Sequence, residues 1–358
     1  MTAFARALPR LAARIPIVPL GDWPTPVREL QVHGRPIWVK DEGASSALYG
    51  GNKVRTLEPW FGHARERGAK RIWAIGAYGS NHAIATVLHA PRAGLEGAAI
   101  LFPQPGSEWA KENAGALIAS GCPLVRLHSV VEVPFAALWI ARREPDSVVM
   151  PPGGATTIGT FGALAAAFEL GEQIDAGELP APRRIVLPAG STCTAAGLLA
   201  GVHLARAAGV WRWPLPIIHA VRVTPWPVTA PFRIAGLARK TLARARALGG
   251  PQLGAESRDV GANLVVDGRE YGRGYGKRTA RGDAATDAIA QLANAPRLDG
   301  VYSAKAAAAL LRLHDEPESA GPLLFWSSKS APLLAGPEPD ALVRAPRALQ
   351  KFVARRRV

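Results

Sequence analysis

Residues 50–58 read Gly50-Gly51-Asn52-Lys53-Val54-Arg55-Thr56-Leu57-Glu58. Two glycines allow a tight turn and a close approach of backbone to a ligand. Asn52 and Lys53 follow at once, and Val54, Leu57 and Trp60 then recur at helical spacing. Lys53 therefore stands where a loop enters a helix. At such a junction the helix dipole and the free N–H groups favour the deprotonated amine. A lysine so placed suits a nucleophile or an imine-forming group. The ordinary alternative is an exposed lysine at the start of a surface helix, and the rest of the chain decides between the two.

Upstream, Pro16, Pro19, Pro24 and Pro26 enforce an extended arm, and 37–40 reads as a short strand. Asp41 and Glu42 read as loop residues facing solvent, with no catalytic role. Downstream, strand and helix patterns alternate. Strands are expected at 71–75, 97–102, 123–127, 148–150, 184–187, 215–223 and 323–326. Helices are expected at 81–92, 108–120, 131–143, 157–171, 195–208, 229–248, 282–294 and 304–314. Pro91 ends or kinks the first of these, and 251–281 is glycine-rich and irregular. Strand, short loop and helix in repetition predict an α/β protein with parallel sheets covered by helices. At 358 residues the chain exceeds one simple core. The expected division is a small mobile unit over 56–170 and a large cofactor-binding unit over 1–55 and 171–358.

Composition narrows the classes. Hydrophobic residues make up 48%, ordinary for a globular chain, and no run of 18 apolar residues occurs, so no membrane-spanning helix is expected. Pro9, Pro16 and Pro19 interrupt the arginine-bearing N-terminus and leave no signal-peptide core. The two cysteines, Cys122 and Cys193, form no metal or redox spacing, and a cytoplasmic location is the default. The net charge of +15 is the one feature pointing to nucleic acid. Its arginines are scattered among alanines, however, and the densest run is Arg355-Arg356-Arg357, with no zinc-finger, RNP-type or helix-turn-helix signature. Specific nucleic-acid binding is not expected; a basic field also attracts phosphates and carboxylates.

Parallel α/β sheets bind ligands at the carboxyl ends of their strands. Three loops there enter helices with small polar residues. In Gly79-Ser80-Asn81-His82, free N–H groups with the Ser and Asn side chains suit a carboxylate or a ring oxygen, and either side chain can also cap the helix. In Gly190-Ser191-Thr192-Cys193-Thr194, small residues and hydroxyls before a helix suit a phosphate, although the P-loop ending is absent. The third is Ser327-Ser328-Lys329-Ser330. A phosphorylated aldehyde cofactor needs this set: a lysine for the imine, a phosphate cradle, a hydroxyl for the ring nitrogen and an anion site for an amino-acid carboxylate.

The order of these motifs resembles the pyridoxal-phosphate-dependent D-cysteine desulfhydrase and 1-aminocyclopropane-1-carboxylate deaminase family, of the tryptophan-synthase-β type. Pro24-Thr25-Pro26, 39–42, 49–58, Ser80-Asn81-His82-Ala83, Gly153-Gly154, 190–197, Tyr275-Gly276, 299–305 and 325–330 follow the family's motifs from about residue 15 to 335. The resemblance implies pyridoxal 5'-phosphate as cofactor, held by Asn52, Lys53, Asn81, the loop 190–194 and Ser328. Lys53 would bear the imine and move the substrate proton, and Asn81 would meet the cofactor's ring oxygen. Ser80, Asn81 and His82 would hold the substrate carboxylate, Tyr275 and Tyr302 would line the substrate side, and Ser328 would meet the pyridine nitrogen. A homodimer is the family-level expectation.

Three departures bear on the reading. Thr192-Cys193 replace two glycines of the family's phosphate loop, and β-branched Thr192 is not expected at positive φ. Lys329 stands in the late loop, beside the ring or turned away from it. Ser303 and His82 stand where the deaminases tend to carry Glu and Gln. These last two favour a lyase acting on a small, D-cysteine-like amino acid and releasing a 2-oxo acid and ammonia, over ring opening of the cyclopropane. Ring opening, a diverged ligand-binding protein with weak catalysis, and a nucleic-acid-associated protein are the alternatives.

Overall fold

The computed structural model describes residues 1–316 and 321–354, so the Arg355-Arg356-Arg357 run lies outside the described residues. Two short helices, α1 (Ala3–Ala7) and α2 (Pro9–Ala12), precede a hairpin of β1 (Val27–Val32) and β2 (Arg35–Asp41). His33 and Gly34 sit at φ 49° and 73°, the primed turn that matches strand twist. The arm expected to be merely extended therefore supplies a strand.

Next come α3 (Lys53–Glu66), β3 (Arg71–Ala77), α4 (Asn81–His89), β4 (Glu96–Phe102), α5 (Glu108–Ala119), β5 (Leu124–Arg126), α6 (Val133–Arg143) and β6 (Ser147–Met150). Then follow α7 (Thr160–Asp175), β7 (Arg184–Ala189), α8 (Cys193–Ala207), β8 (Ile217–Arg222), α9 (Pro231–Ala247) and β9 (Leu264–Asp267). The chain closes with α10 (Ala280–Ala290), α11 (Ser303–Asp315), β10 (Leu323–Ser327), α12 (Pro339–Arg344) and α13 (Arg347–Ala354). Strand β9 corrects the reading of 251–281 as wholly irregular. Pro91 acts as expected: α4 stops at His89, and a 3-10 turn containing Pro91 ends on Gly94.

The strands form two sheets. One has the order β1-β2-β10-β7-β8-β9 and the other β5-β4-β3-β6. Every pairing is parallel except the β1–β2 hairpin. Strand β10 inserts between β2 and β7, with Phe325 beside Val39 on one side and Val186 on the other. Phe161, Leu164 and Phe168 of α7 share a core with Leu198, Leu199 and Val202 of α8. Val54, Leu57 and Phe61 of α3 share one with Ile72, Ile84 and Leu117 of the four-stranded sheet and its helices. The C-terminal α13 returns to that second core through Leu349 and Phe352, and Phe352 meets Tyr78 edge-on at 5.3 Å. No helix of the described residues is long and apolar enough to cross a membrane.

A buried charge network anchors α3. Arg55 is 4% exposed; it donates to Glu42 at 2.6 and 2.9 Å, to Glu169 of α7 at 2.8 and 3.0 Å, and lies 3.8 Å over the Trp23 ring. Lys40 donates to Glu169, to Gln173 and, at 2.7 Å, to the Thr25 carbonyl. Asp41 accepts from the Gly43 N–H at 3.0 Å and pairs with Arg28 at 2.8 Å. Asp41 and Glu42 are thus buried structural groups rather than solvated loop residues, because cations on neighbouring elements compensate them.

Candidate active site

A cavity of about 1030 Å³ opens at the carboxyl ends of β3 and β7, where α3, α4 and α8 begin. Asn52, Lys53, Ser80, Asn81, His82, Gly190, Ser191, Thr192, Cys193, Thr194, Tyr275, Tyr302 and Ser328 all line it. The sequence placed these residues on six separate segments, and folding brings them to one site. Among the described residues, no aspartate or glutamate lines it.

Lys53 is the first residue of α3. Burial lowers its pKa below that of an ordinary lysine, against a smaller upward pull from Cys193. A neutral amine is the form that attacks a carbonyl. The preceding turn needs glycine: Gly51 lies at φ 95°, and a Cβ there would meet the Ser328 carbonyl oxygen at 2.6 Å. Asn52 gives α3 no side-chain cap; its Nδ2 donates to Thr194 Oγ1 at 2.8 Å, tying the starts of α3 and α8 together.

Ser80 caps α4, its Oγ accepting from the Ala83 N–H at 3.2 Å. Asn81 Oδ1 accepts from Tyr49 Oη at 2.9 Å and from Asn113 Nδ2 at 2.8 Å. Both donors lie outside the cavity lining, so the Asn81 amide is left with its own NH₂ to offer a ligand. Tyr49 and Asn113 are positioning residues the sequence reading did not single out. Tyr49 lay inside a quoted motif, whereas Asn113 sits in an ordinary amphipathic helix and gave no signal. His82 is buried, and among the described residues neither ring nitrogen has a partner. Burial, with the Lys53 charge adding, pushes its pKa down to about 3, so it stands neutral and can donate one N–H.

The loop 190–194 corrects one expectation. Thr192 takes φ 71° and ψ −22°, the left-handed conformation that β-branched residues avoid, and it is 8% exposed. Packing of β7 and α8 on either side imposes the turn that glycines adopt freely. Thr192 gives no side-chain cap to α8, and first-turn N–H groups have no intrahelical acceptor. They face the cavity at the positive end of a 15-residue helix. Thr224 Oγ1 holds the loop by donating to the Gly190 carbonyl at 2.8 Å. The Cys193 thiol is buried 3.6 Å from the Gly154 carbonyl oxygen, with its pKa raised by burial, so this residue serves the loop through its backbone.

The Tyr275 and Tyr302 hydroxyls lie 2.8 Å apart with the rings edge-on, and burial raises both pKa values. They are neutral hydroxyls, not phenolate bases. Ser328 faces the cavity, while Lys329 turns away, 5.8 Å over the Tyr49 ring and 5.6 Å over the Trp109 ring. Ser303 is buried and donates to Asp299 at 3.0 Å, outside the cavity lining.

These residues fit a phosphorylated aldehyde. The α8 start suits a phosphate, the acid-free wall suits an anion, the two orphaned His82 nitrogens suit a carboxylate, and Lys53 supplies an amine of lowered pKa. Known proteins agree. The family model for a pyridoxal-phosphate dependent enzyme matches residues 18–328. Nocardicin C-9' epimerase of Nocardia uniformis subsp. tsuyamanensis is 34% identical over 347 residues, covering 92% of this chain and 98% of that protein. D-cysteine desulfhydrase of Salmonella paratyphi A is 27% identical over 340 residues, covering 90% and 96%. A crystal structure of an ACC deaminase homologue superposes with a TM-score of 0.72 at 27% identity, over 92% of this chain and 94% of that one. The two-sheet fold, the lysine-bearing cavity and the matched span together identify the chain as a member of the pyridoxal-phosphate-dependent enzyme family, in the group that contains D-cysteine desulfhydrase and ACC deaminase.

Proposed function

We propose that the protein removes the α-proton of an amino acid bound beside Lys53 and expels a β-substituent, and that the unsaturated amine released then takes up water to give a 2-oxo acid and ammonia. The observation that carries this is the meeting of Lys53 and the α8 start in one cavity free of carboxylates. When bound, pyridoxal phosphate supplies an aldehyde for the amino-acid nitrogen and a ring that draws electrons from Cα. The residues of the chain do the rest. The N–H groups of 192–194 would hold the phosphate, and the Asn81 amide would donate to the ring oxygen. Ser80 and neutral His82 would bind the substrate carboxylate. Lys53 Nζ would take the proton from Cα, its lowered pKa leaving it free to accept one. The Ser328 hydroxyl, uncharged, would face the ring nitrogen and keep it unprotonated, which limits electron withdrawal and suits β-elimination over transamination. Residues 56–170 are proposed as the mobile unit that carries Ser80–His82 toward the cofactor as substrate enters.

A second reading returns the proton to Cα without losing a substituent, that is, epimerisation. The 34% identity to an epimerase over nearly its whole length supports it. One experiment separates the two. The holoenzyme is incubated in deuterated water with D- and L-amino acids bearing a β-leaving group, and 2-oxo acid, α-deuterium and configuration are followed. Elimination yields 2-oxo acid; epimerisation yields α-deuterated substrate of inverted configuration. Lys53→Ala lowers either rate by about 10³-fold or more; near-normal turnover of that variant would sink the assignment.

A further inference from the structure

The cavity continues well beyond the residues already assigned. Its outer part is lined by Val130 and by Val228, Phe232, Arg233, Gly236 and Lys240. Clefts for drug-sized ligands span roughly 300–1,000 Å³, and this one, at about 1030 Å³, reaches the top of that range. The cofactor with a serine-sized amino acid would need only the inner end around Lys53.

The outer walls have a definite chemistry. Phe232 is 63% exposed, Val130 55% and Val228 40%, so three apolar side chains stand open to solvent around the mouth. Arg233, Gly236 and Lys240 recur at helical spacing on one face of α9. Among the described residues neither Arg233 nor Lys240 has an ion-pair partner, and no acidic residue lines the cavity to supply one. Between these two cations lies Gly236, inside the helix. A Cβ built there meets nothing within 4 Å. No packing demand explains this glycine, which weakens α9 relative to alanine; its effect is to leave the groove floor open.

We propose that the substrate is an extended amino acid whose side chain carries an apolar, aromatic-sized body and an anionic terminus. The body lies between Val130, Val228 and Phe232 and over Gly236, and the anion meets Arg233 and Lys240. This rests on the assignment of the inner site to an amino acid.

The test uses the holoenzyme and three probes in both configurations: serine, O-benzylserine and O-(4-carboxybenzyl)serine. Each is titrated while the absorption of the bound cofactor is followed. The dissociation constants are expected to fall in that order, the last at least tenfold below serine. Gly236→Leu, which fills the groove, and the double change Arg233→Ala with Lys240→Ala are each expected to bring the serine and carboxybenzyl constants within about twofold. Equal constants in the wild type overturn the proposal, as does a preference that survives both variants. Loss of cofactor affinity in the arginine–lysine variant also overturns it, since the two cations then serve the phosphate. A thermal midpoint of Gly236→Leu at or above the wild type shows that a lost preference is not unfolding. If serine perturbs the cofactor band and the longer probes do not, this inference alone fails. If no amino acid of any size perturbs it, the amino-acid reading falls first and takes the inference with it.

Discussion

Replacing Arg55 by methionine tests how Lys53 is held in place. The guanidinium, 4% exposed, is the common partner of Glu42 and Glu169, which are themselves buried. Methionine keeps much of the volume and removes the charge. Lys40 remains beside Glu169, but among the described residues the Glu42 carboxylate keeps only the Thr25 hydroxyl at 2.9 Å. Breaking a buried pair by removing one partner costs about 3–5 kcal/mol, a large share of a typical stability of about 5–15 kcal/mol. The pH dependence changes as well. Burial alone would raise the Glu169 carboxyl; Arg55 and Lys40 outweigh it and bring it down to about 2. In the wild type that stabilisation is present above the ordinary glutamate pKa and is lost as pH falls from there toward 2. Without Arg55 the larger of the two pulls is gone, the carboxyl rises from there, and the variant loses less stability than the wild type as pH falls. Urea unfolding at pH 8 and pH 5.5 measures both effects, and Glu42→Gln added to the variant is expected to restore part of the loss. A cost below about 1 kcal/mol, or no rescue by Glu42→Gln, would refute the reasoning.

Two further outcomes follow from the site. Thr192→Gly relieves about 1–2 kcal/mol of left-handed strain, loses about 0.5–1 kcal/mol to unfolded-chain entropy and loses one buried methyl, about 0.8 kcal/mol. The expected net change lies within about 1 kcal/mol of zero with cofactor affinity retained, and urea unfolding showing a cost above about 2 kcal/mol would contradict the strain argument. His82 has a folded pKa of about 3 against an ordinary 6.5, so its neutral form is worth stability that is complete above 6.5 and lost as pH falls toward 3. Between pH 7.5 and 5.5 the wild type is expected to lose about 1.4 kcal/mol more than His82→Gln; parallel thermal melts of the two would show the histidine already charged in the fold.

Much of the site could be read before the structure because its parts are local. The Gly50–Glu58 turn, the Ser80–His82 start and the loop 190–194 each lie within a few residues, and their chemistry is that of small residues entering a helix. The parallel strands were legible as short apolar runs between helical patterns. What could not be read depends on distance. Glu169 reaches Arg55 across 114 residues, and Asn113 reaches Asn81 across 32, with no local pattern to mark either. Strand β9 was hidden because a four-residue edge strand among glycines has too little period to show. Thr192 was misjudged because intrinsic preference was weighed without the packing of β7 and α8, which overrides it.

The position of β10 bears on the order of events during synthesis. Chain growth of about 5–20 residues per second separates Gly50 from Ser330 by roughly a quarter of a minute to a minute. Until β10 emerges, the β1–β2 hairpin has no parallel neighbour to join, because β10 alone links it to β7. The Gly50 N–H likewise waits for Ser330 Oγ, its acceptor at 3.0 Å. A ribosome-bound chain therefore carries Lys53 without its turn closed. A chain that stops before β10 therefore lacks both the strand that joins the hairpin to β7 and the serine that closes the turn ahead of Lys53.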